Sequence, residues 1–377
     1  MAQAAFPHFH IVILCEDYGA KLWPIAREQD PACLTPVEPG SEQSLLAAAV
    51  HRSVAFTANP LHVVTTISMA EAIHNELQRC PEAKKAGVDL IIQPIQRGTA
   101  FAIALAAARI RRDDPQAVIA VLRADTRMAL DDRWQHLLLK AYQVAQQDRM
   151  VVVGSQQQDK CVDFTYILKG RPFYTVEDAY EVRLFSADAP DNAARRLCQQ
   201  GAFWYTGVLV SRAAVVLGEL ARAGEMNQTP ESGSSHQIAE TANFLAMLQP
   251  EALLRRDAKE VVSVLPNVSF EKAVLEVSDK LVVIPTTIPF STLRSLADLD
   301  SFAAPTRDGN RDIDSVALIN RCHNVTAYSQ QSERKVVAVG LRDVHIIELE
   351  DMTLVVNKAY LNELGDVRTQ FEDQAQD

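Results

Sequence analysis

Short β-rich runs alternate with longer helix-period stretches through the first half of the chain. Ile11–Leu14, Leu61–Ile67, Val88–Gln93, Ala117–Leu122 and Met150–Gly154 have strand length and β-branched content. Between them, Gln43–Ala55, Ser68–Arg79, Thr99–Arg112 and Arg133–Gln147 carry the apolar spacing of helices. Strands buried on both faces read as nearly continuous apolar runs, as Ile11–Leu14 does. The alternation therefore predicts parallel strands joined by crossover helices, a doubly wound Rossmann-like α/β domain.

From about Val162 the pattern becomes β-rich and mixed, followed by a helix at Ala213–Ala223. The polar stretch Gly224–His236 predicts a loop, a helical run continues through Leu254, and Leu281–Pro285 predicts a strand. After Asp308-Gly309-Asn310, short strands are expected at Val316–Ile319, Lys335–Val339, His345–Glu350 and Thr353–Asn357. The expected division is an α/β domain over residues 1–300 and a small C-terminal all-β domain over 301–377. At 377 residues the chain is long enough for that second unit.

Composition narrows the classes. With 48% hydrophobic and 23% charged residues, the sequence is that of an ordinary globular protein. A net charge of -11 gives no electrostatic footprint for nucleic acid. Arg109-Ile110-Arg111-Arg112 reads as a solvated helix face. No apolar stretch reaches membrane-spanning length, so no membrane insertion is expected. Met1–Phe6 lacks the basic and apolar regions of a signal peptide, which points to the cytoplasm. The six cysteines include no Cys-x-x-Cys pair, and the nine histidines no metal-binding spacing. The Asn-x-Ser/Thr matches at Asn227, Asn267 and Asn324 read as chance.

The strand His10–Leu14 leads through Cys15-Glu16-Asp17-Tyr18-Gly19-Ala20-Lys21 to Leu22-Trp23-Pro24-Ile25. A loop that cradles phosphates needs glycines, so that backbone N–H groups approach the anion, and it needs positive charge. This loop has one glycine, one lysine and two adjacent carboxylates. It has the frame of a nucleotide-binding entry with chemistry that opposes an anion.

Several motifs then follow in order. They are Leu22-Trp23-Pro24 with Arg27-Glu28, Arg97-Gly98-Thr99-Ala100, Leu122-Arg123-Ala124-Asp125 and Trp204-Tyr205-Thr206-Gly207. Ser269–Glu276, Asp308-Gly309-Asn310, Val337–Val344 and Asp351–Val355 complete the series. Together they resemble the mannose-1-phosphate guanylyltransferases of the bacterial sugar-nucleotide pyrophosphorylase family, almost end to end. The resemblance implies nucleotide contacts at Gly19, Arg97 and Thr99, and a sugar site at Trp204, Gly207 and Glu271. It also implies a metal carboxylate at Asp125. Lys21 and Arg27 would act in catalysis only if the protein is active, and Mg²⁺ would be needed only then.

The departures fall on the chemistry. Where the resemblance implies Gly-Gly-x-Gly-x-Arg, the sequence has Glu16, Asp17, Gly19 and Lys21. An expected lysine is Ala32, and Gly-Tyr-Gly-Tyr is Asp163-Phe164-Thr165-Tyr166. Glu-Lys-Pro becomes Asp188-Ala189-Pro190, the asparagine of Trp-Asn-Ser-Gly becomes Tyr205, and a second metal aspartate becomes Thr292. The reaction implied is attack of a sugar-1-phosphate oxygen on the α-phosphorus of a nucleoside triphosphate, with pyrophosphate leaving. It depends on positioning and charge neutralisation. Loss of one strong stabiliser costs on the order of a hundredfold to a thousandfold.

Each residue also has a purely structural reading. Asp125 suits a helix N-cap or turn, and Lys21 an exposed surface lysine. Arg97 and Thr99 suit a helix start, and Trp204 suits core packing. The readings of function are three. One is a degenerate paralogue acting as a regulatory or scaffolding subunit, partnered by an active guanylyltransferase or a polysaccharide-synthesis protein. The second is an active sugar-1-phosphate nucleotidyltransferase. The third is a non-catalytic sensor of a sugar nucleotide; GTP or a GDP-sugar is the small-molecule partner considered. The pattern of loss favours the first. The strand edges of the C-terminal unit also suit homo-oligomer formation.

Overall fold

A computed structural model describes residues 6–374 apart from 7, 17–18, 28–29, 38–40, 58, 129–131, 157–163, 227–234, 250–251, 254, 314–317 and 330–334. Asp17, Glu28, Cys161, Asp163, Asn227, Leu254 and most of the expected 224–236 loop lie outside the described residues.

Through β10 the chain order is β1 (Phe9–Cys15), α1 (Leu45–Ser53), β2 (Leu61–Thr66), α2 (Ala70–Arg79), α3 (Pro81–Ala86), β3 (Val88–Gln93), α4 (Gly98–Asp113) and β4 (Val118–Arg123). There follow β5 (Thr126–Met128), α5 (Asp132–Ala145), β6 (Met150–Ser155), β7 (Tyr166–Pro172), β8 (Tyr180–Ser186), α6 (Asp191–Gln199) and β9 (Phe203–Arg212). Then come α7 (Ala213–Met226), α8 (Ser235–Ala246), α9 (Arg256–Ser263) and β10 (Leu281–Thr286).

Two compact units are present. The described residues of the first fall within Met1–Glu16, Ala49–Ala124 and Met128–Phe290. Its nine-stranded sheet has the order β3-β2-β1-β4-β9-β6-β10-β8-β7. β1, β2, β3 and β4 are parallel neighbours, as are β6 and β10, which is the doubly wound pattern read from the alternation. β9 runs antiparallel between β4 and β6, and the β7–β8 pair is antiparallel, so the whole sheet is mixed.

Helix α4 shows why the core forms on one face. Its sequence combines alanines, the best helix formers, with Phe101, Ile103 and Leu105, and it is buried nearly all round. Arg111 and Arg112 in its last turn favour the negative end of the helix. It packs against α7 and α8, and α5 lies against β6, β9 and β10. The helices α6 and α9 are absent from the sequence reading. Each is short and mostly polar and buries only two side chains, Ala194 and Leu197 in one, Ala258 and Val262 in the other, so little apolar sequence marks it.

The described residues of the second unit fall within Asp17–Ala48, Asp125–Arg127 and Ser291–Asp377. Packing therefore does not follow a single cut in the chain. After β11 (Phe290–Thr292), which pairs with β5, come β12 (Arg311–Ile313), β13 (Leu318–Asn320), β14 (Thr326–Ser329), β15 (Val337–Val339), β16 (Val344–Glu348) and β17 (Thr353–Asn357). β12, β14 and β16 stack in parallel, β13 and β15 do the same in a second sheet, and β17 closes the first sheet antiparallel. This is a short β-solenoid. Asn310 joins successive coils, with Nδ2 donating to the Cys322 carbonyl at 2.9 Å and Oδ1 accepting from Val325 N–H at 2.9 Å.

The expected all-β C-terminal region carries these strands and also ends in a helix, α10 (Leu364–Gln374). The strands β12 and β14 are three and four residues long, too short to leave an alternating pattern. Leu22, Ile25 and Leu45 from the early segment share one core with Leu299, Ile347 and Leu364.

Candidate functional site

In the first unit, the features expected at the nucleotide and sugar sites gather around the start of α4. Gly98 has φ +72°, and a Cβ there would lie 2.4 Å from the Val268 carbonyl oxygen. Only glycine lets the two backbones meet this closely. Thr99 then accepts the Phe270 N–H on Oγ1 at 2.8 Å and reaches Glu271 Oε2 at 3.4 Å. Thr99 and Glu271, expected at different subsites, are thus hydrogen-bonded to each other. Arg97 sends Nε to the Val262 carbonyl at 3.2 Å and Nη2 to the Ser263 carbonyl at 2.6 Å. Those are terminal carbonyls of α9, whose negative dipole end a guanidinium satisfies.

At the start of β9, Trp204 is 3% exposed and stacks on Phe164, with ring centroids 3.9 Å apart and planes 3° from parallel. Its face is therefore covered by an aromatic ring. Tyr205 stands where the resemblance implies asparagine and packs edge-on against Phe185 at 5.3 Å. Burial pushes its phenol well above the usual range, Glu271 adds to this, and Arg123 opposes it. Gly207 has φ +81°, and a Cβ there would sit 2.9 Å from Arg123 Cδ, so the glycine makes room for that arginine. Glu16, at the end of β1, is buried at 5% exposure.

Two interactions were not legible from the sequence. Lys272 pairs with Asp188, the first residue of the altered Glu-Lys-Pro segment, and Glu276 Oε1 accepts the Ala187 N–H at 2.7 Å. The Phe-Glu-Lys run at 270–272 gave no spacing that linked it to residues 187–188.

In the second unit, Gly19 has φ +89°, and a Cβ there would come within 2.8 Å of Ala32 Cβ. The glycine serves close packing on the very residue that stands in place of an expected lysine. Lys21 is exposed. Arg27 is engaged by a carboxylate, with Nη1 donating to Asp351 Oδ2 at 2.6 Å and Nη2 to Oδ1 at 2.9 Å. This bidentate hydrogen bond raises the Arg27 pKa and lowers that of Asp351. The Asp125 carbonyl accepts the Leu293 N–H at 3.0 Å.

Mg²⁺ held by protein takes carboxylate and phosphate oxygens in octahedral geometry. Among the described residues, no group of three His, Cys, Asp or Glu side chains is arranged to hold a metal. Asp125 is the one carboxylate of the expected pair, with Thr292 in the other place. A Mg²⁺ held at Asp125 would take its remaining oxygens from phosphate and water.

The nucleotidyl transferase family model matches residues 11–232. The chain belongs to the nucleotidyl transferase family. Within that family it is similar to mannose-1-phosphate guanylyltransferase from Escherichia coli K12, at 24% identity over 96% of this chain and 72% of the relative. It is similar to the xanthan biosynthesis protein XanB of Xanthomonas campestris pv. campestris, at 26% identity over 96% of this chain and 73% of the relative. The crystal structure of mannose-1-phosphate geranyltransferase from Thermus thermophilus matches with a TM-score of 0.79 and 18% identity. It covers 97% of this chain and 99% of that one, and this likeness establishes the fold. Among the described residues of this nucleotidyl transferase family member, no helix is long and apolar enough to cross a membrane.

Proposed function

We propose that the chain is a mannose-1-phosphate guanylyltransferase-like protein that no longer catalyses and acts as a regulatory or scaffolding subunit of sugar-nucleotide or polysaccharide synthesis. The observation that carries this reading is the internal use of the motif cations. Arg27 is engaged by Asp351, and Arg97 by the carbonyls of Val262 and Ser263. Nucleotidyl transfer depends on cations aimed at the phosphates, and a guanidinium already holding a carboxylate adds little net charge. Ala32 and Ala189 remove two further cations, and Glu16 places a buried carboxylate at the head of the entry loop. Similarity to a protein named for xanthan biosynthesis supports the polysaccharide setting.

The test is pyrophosphate release by the full chain with GTP, mannose-1-phosphate and Mg²⁺, repeated with other nucleotides and sugar-1-phosphates. The proposal expects no turnover beside an active family enzyme, together with capture of a guanylyltransferase or polysaccharide-synthesis partner. Turnover that disappears in Asp125→Ala would overturn it in favour of a rebuilt active site. Tight nucleotide-sugar binding without turnover or partner would favour a sensor.

A further inference from the structure

A cleft of about 480 Å³ opens in the first unit between α5, the end of β10 and the β7–β8 pair. None of the residues discussed above as nucleotide, sugar or metal contacts lines it. Its size falls within the range of small-molecule sites, which span roughly 300–1,000 Å³.

The charge in this cleft is unlike the rest of the protein. In a chain with net charge -11, the described lining holds three cationic side chains, Arg133, Lys140 and Lys169, and one carboxylate, Asp178. Helical spacing explains part of this, because Arg133, His136, Leu137 and Lys140 fall at i, i+3, i+4 and i+7 of α5. Asp178 is taken by Lys140 at 3.1 Å. Arg133 Nη1 reaches Thr287 across the mouth, at 3.3 Å to Oγ1 and 3.5 Å to the carbonyl. Lys169 lies over two aromatic rings, 4.6 Å from the Tyr180 centroid and 5.8 Å from that of Phe203. Among the described residues no carboxylate pairs with it.

We propose that this cleft is a binding site for a phosphorylated small molecule, separate from the candidate nucleotidyl-transfer site. Lys169 is the principal phosphate contact, because its charge faces the cleft and no carboxylate among the described residues neutralises it. Arg133, whose Nη1 is held by Thr287, adds a second positive charge from the opposite wall. The cleft is larger than a phosphate ion. Gln156, Thr286 and Thr287 add an amide and two hydroxyl groups for a polar body, and Tyr180 offers a ring to pack against it. The site stands whether or not the chain catalyses.

The experiment is calorimetric titration of the full chain with three probes: inorganic phosphate, mannose-1-phosphate and guanosine monophosphate. Lys169→Met and Arg133→Gln are compared with Lys85→Met, which removes an exposed lysine of α3 outside the cleft. Lys169 and Arg133 are both exposed, so neither variant disturbs the core; circular dichroism verifies the fold. Saturable binding of at least one probe is expected, weakened about tenfold or more in each cleft variant and unchanged in Lys85→Met. The probe bound most tightly then names the ligand as free phosphate, sugar phosphate or nucleotide. Binding that survives both cleft variants, or no saturable binding of any probe up to about 10 mM, overturns the proposal.

Discussion

His10 Nδ1 lies 3.2 Å from His62 Nε2, in the middle of a chain of side chains that begins at Asp114 and ends at Asp89. His10 Nε2 meets Asp114 at 3.0 Å, and His62 Nδ1 meets Asp89 at 3.1 Å. His8 also contacts Asp114, and Arg109 contacts Asp89. A neutral imidazole brings one N–H group and one acceptor, so the tautomer of either ring fixes what the other can donate.

The same cluster sets an acid limit. Burial lowers the His10 pKa, the Asp114 hydrogen bond partly offsets this, and the neighbouring His62 lowers it further. A histidine held below its unfolded value contributes stability above about pH 6.5, and loses it as pH falls through the lowered folded value. Protonating His10 also removes the acceptor for His62. Unfolding measured from pH 7 down to 5 should show stability decline, with a smaller decline in His10→Phe. An equal slope in both proteins would rule the cluster out as its source.

Two glycines with positive φ separate backbone strain from steric contact. Gly201, at φ +76°, has no atom within 4 Å of a would-be Cβ, whereas Gly98 has the Val268 carbonyl at 2.4 Å. Gly201→Ala should cost about 1–2 kcal/mol, the left-handed penalty alone. Gly98→Ala should cost roughly 2–5 kcal/mol, because overpacking adds to strain. Denaturant titration of both variants checks the difference, and equal losses would mean that the 267–270 segment yields freely.

Much of the α/β frame was legible because β1, β4 and β6 are continuous buried runs and α4 is rich in alanine. The antiparallel insertion of β9 was not, since strand direction in the sheet leaves no trace in local periodicity. The candidate site was legible as positions and substitutions. What each side chain does there was not. Arg97 reads as an anion contact until α9 is seen to end against it, and the Arg27 partner is 324 positions away. The cationic spacing along α5 was visible in the sequence, but Lys169 joins it only through folding.

The Arg27–Asp351 pair offers a quantitative test of an exposed bridge. Its side chains are 36% and 58% exposed, so solvent screens much of the attraction. A double-mutant cycle with Arg27→Gln and Asp351→Asn should return a coupling of about 0.2–1 kcal/mol that shrinks in high salt. A salt-independent coupling would mean that the pair is better shielded than its exposure indicates.

Asp300 should define the acid stability of the second unit. Burial alone would raise its pKa, but hydrogen bonds from His345, Thr326 and Lys358, with the Lys358 charge, hold it well below the usual carboxylate range. A carboxyl group depressed in this way adds stability above its unfolded pKa of about 4, and that stability is lost as pH falls through the lower folded value. Asp300→Asn leaves Lys358 without its buried counter-charge and should cost on the order of 3–5 kcal/mol near neutral pH. Below about pH 4 the variant should lose stability less steeply than the parent, because the Asp300 contribution is gone. An unchanged melting profile in the variant would show that the contacts to Asp300 make no net contribution.

The core that joins Leu22, Ile25 and Leu45 to Ile347 and Leu364 also fixes an order of events during synthesis. These early apolar residues leave the ribosome long before their packing partners exist. At roughly 5–20 residues per second, the wait is on the order of tens of seconds. Throughout that interval the segment must remain soluble without its core, and a chain that stops short of the solenoid never supplies one. Truncation from the C-terminus is therefore expected to expose a sticky N-terminal segment and to appear in cells as aggregation or chaperone binding.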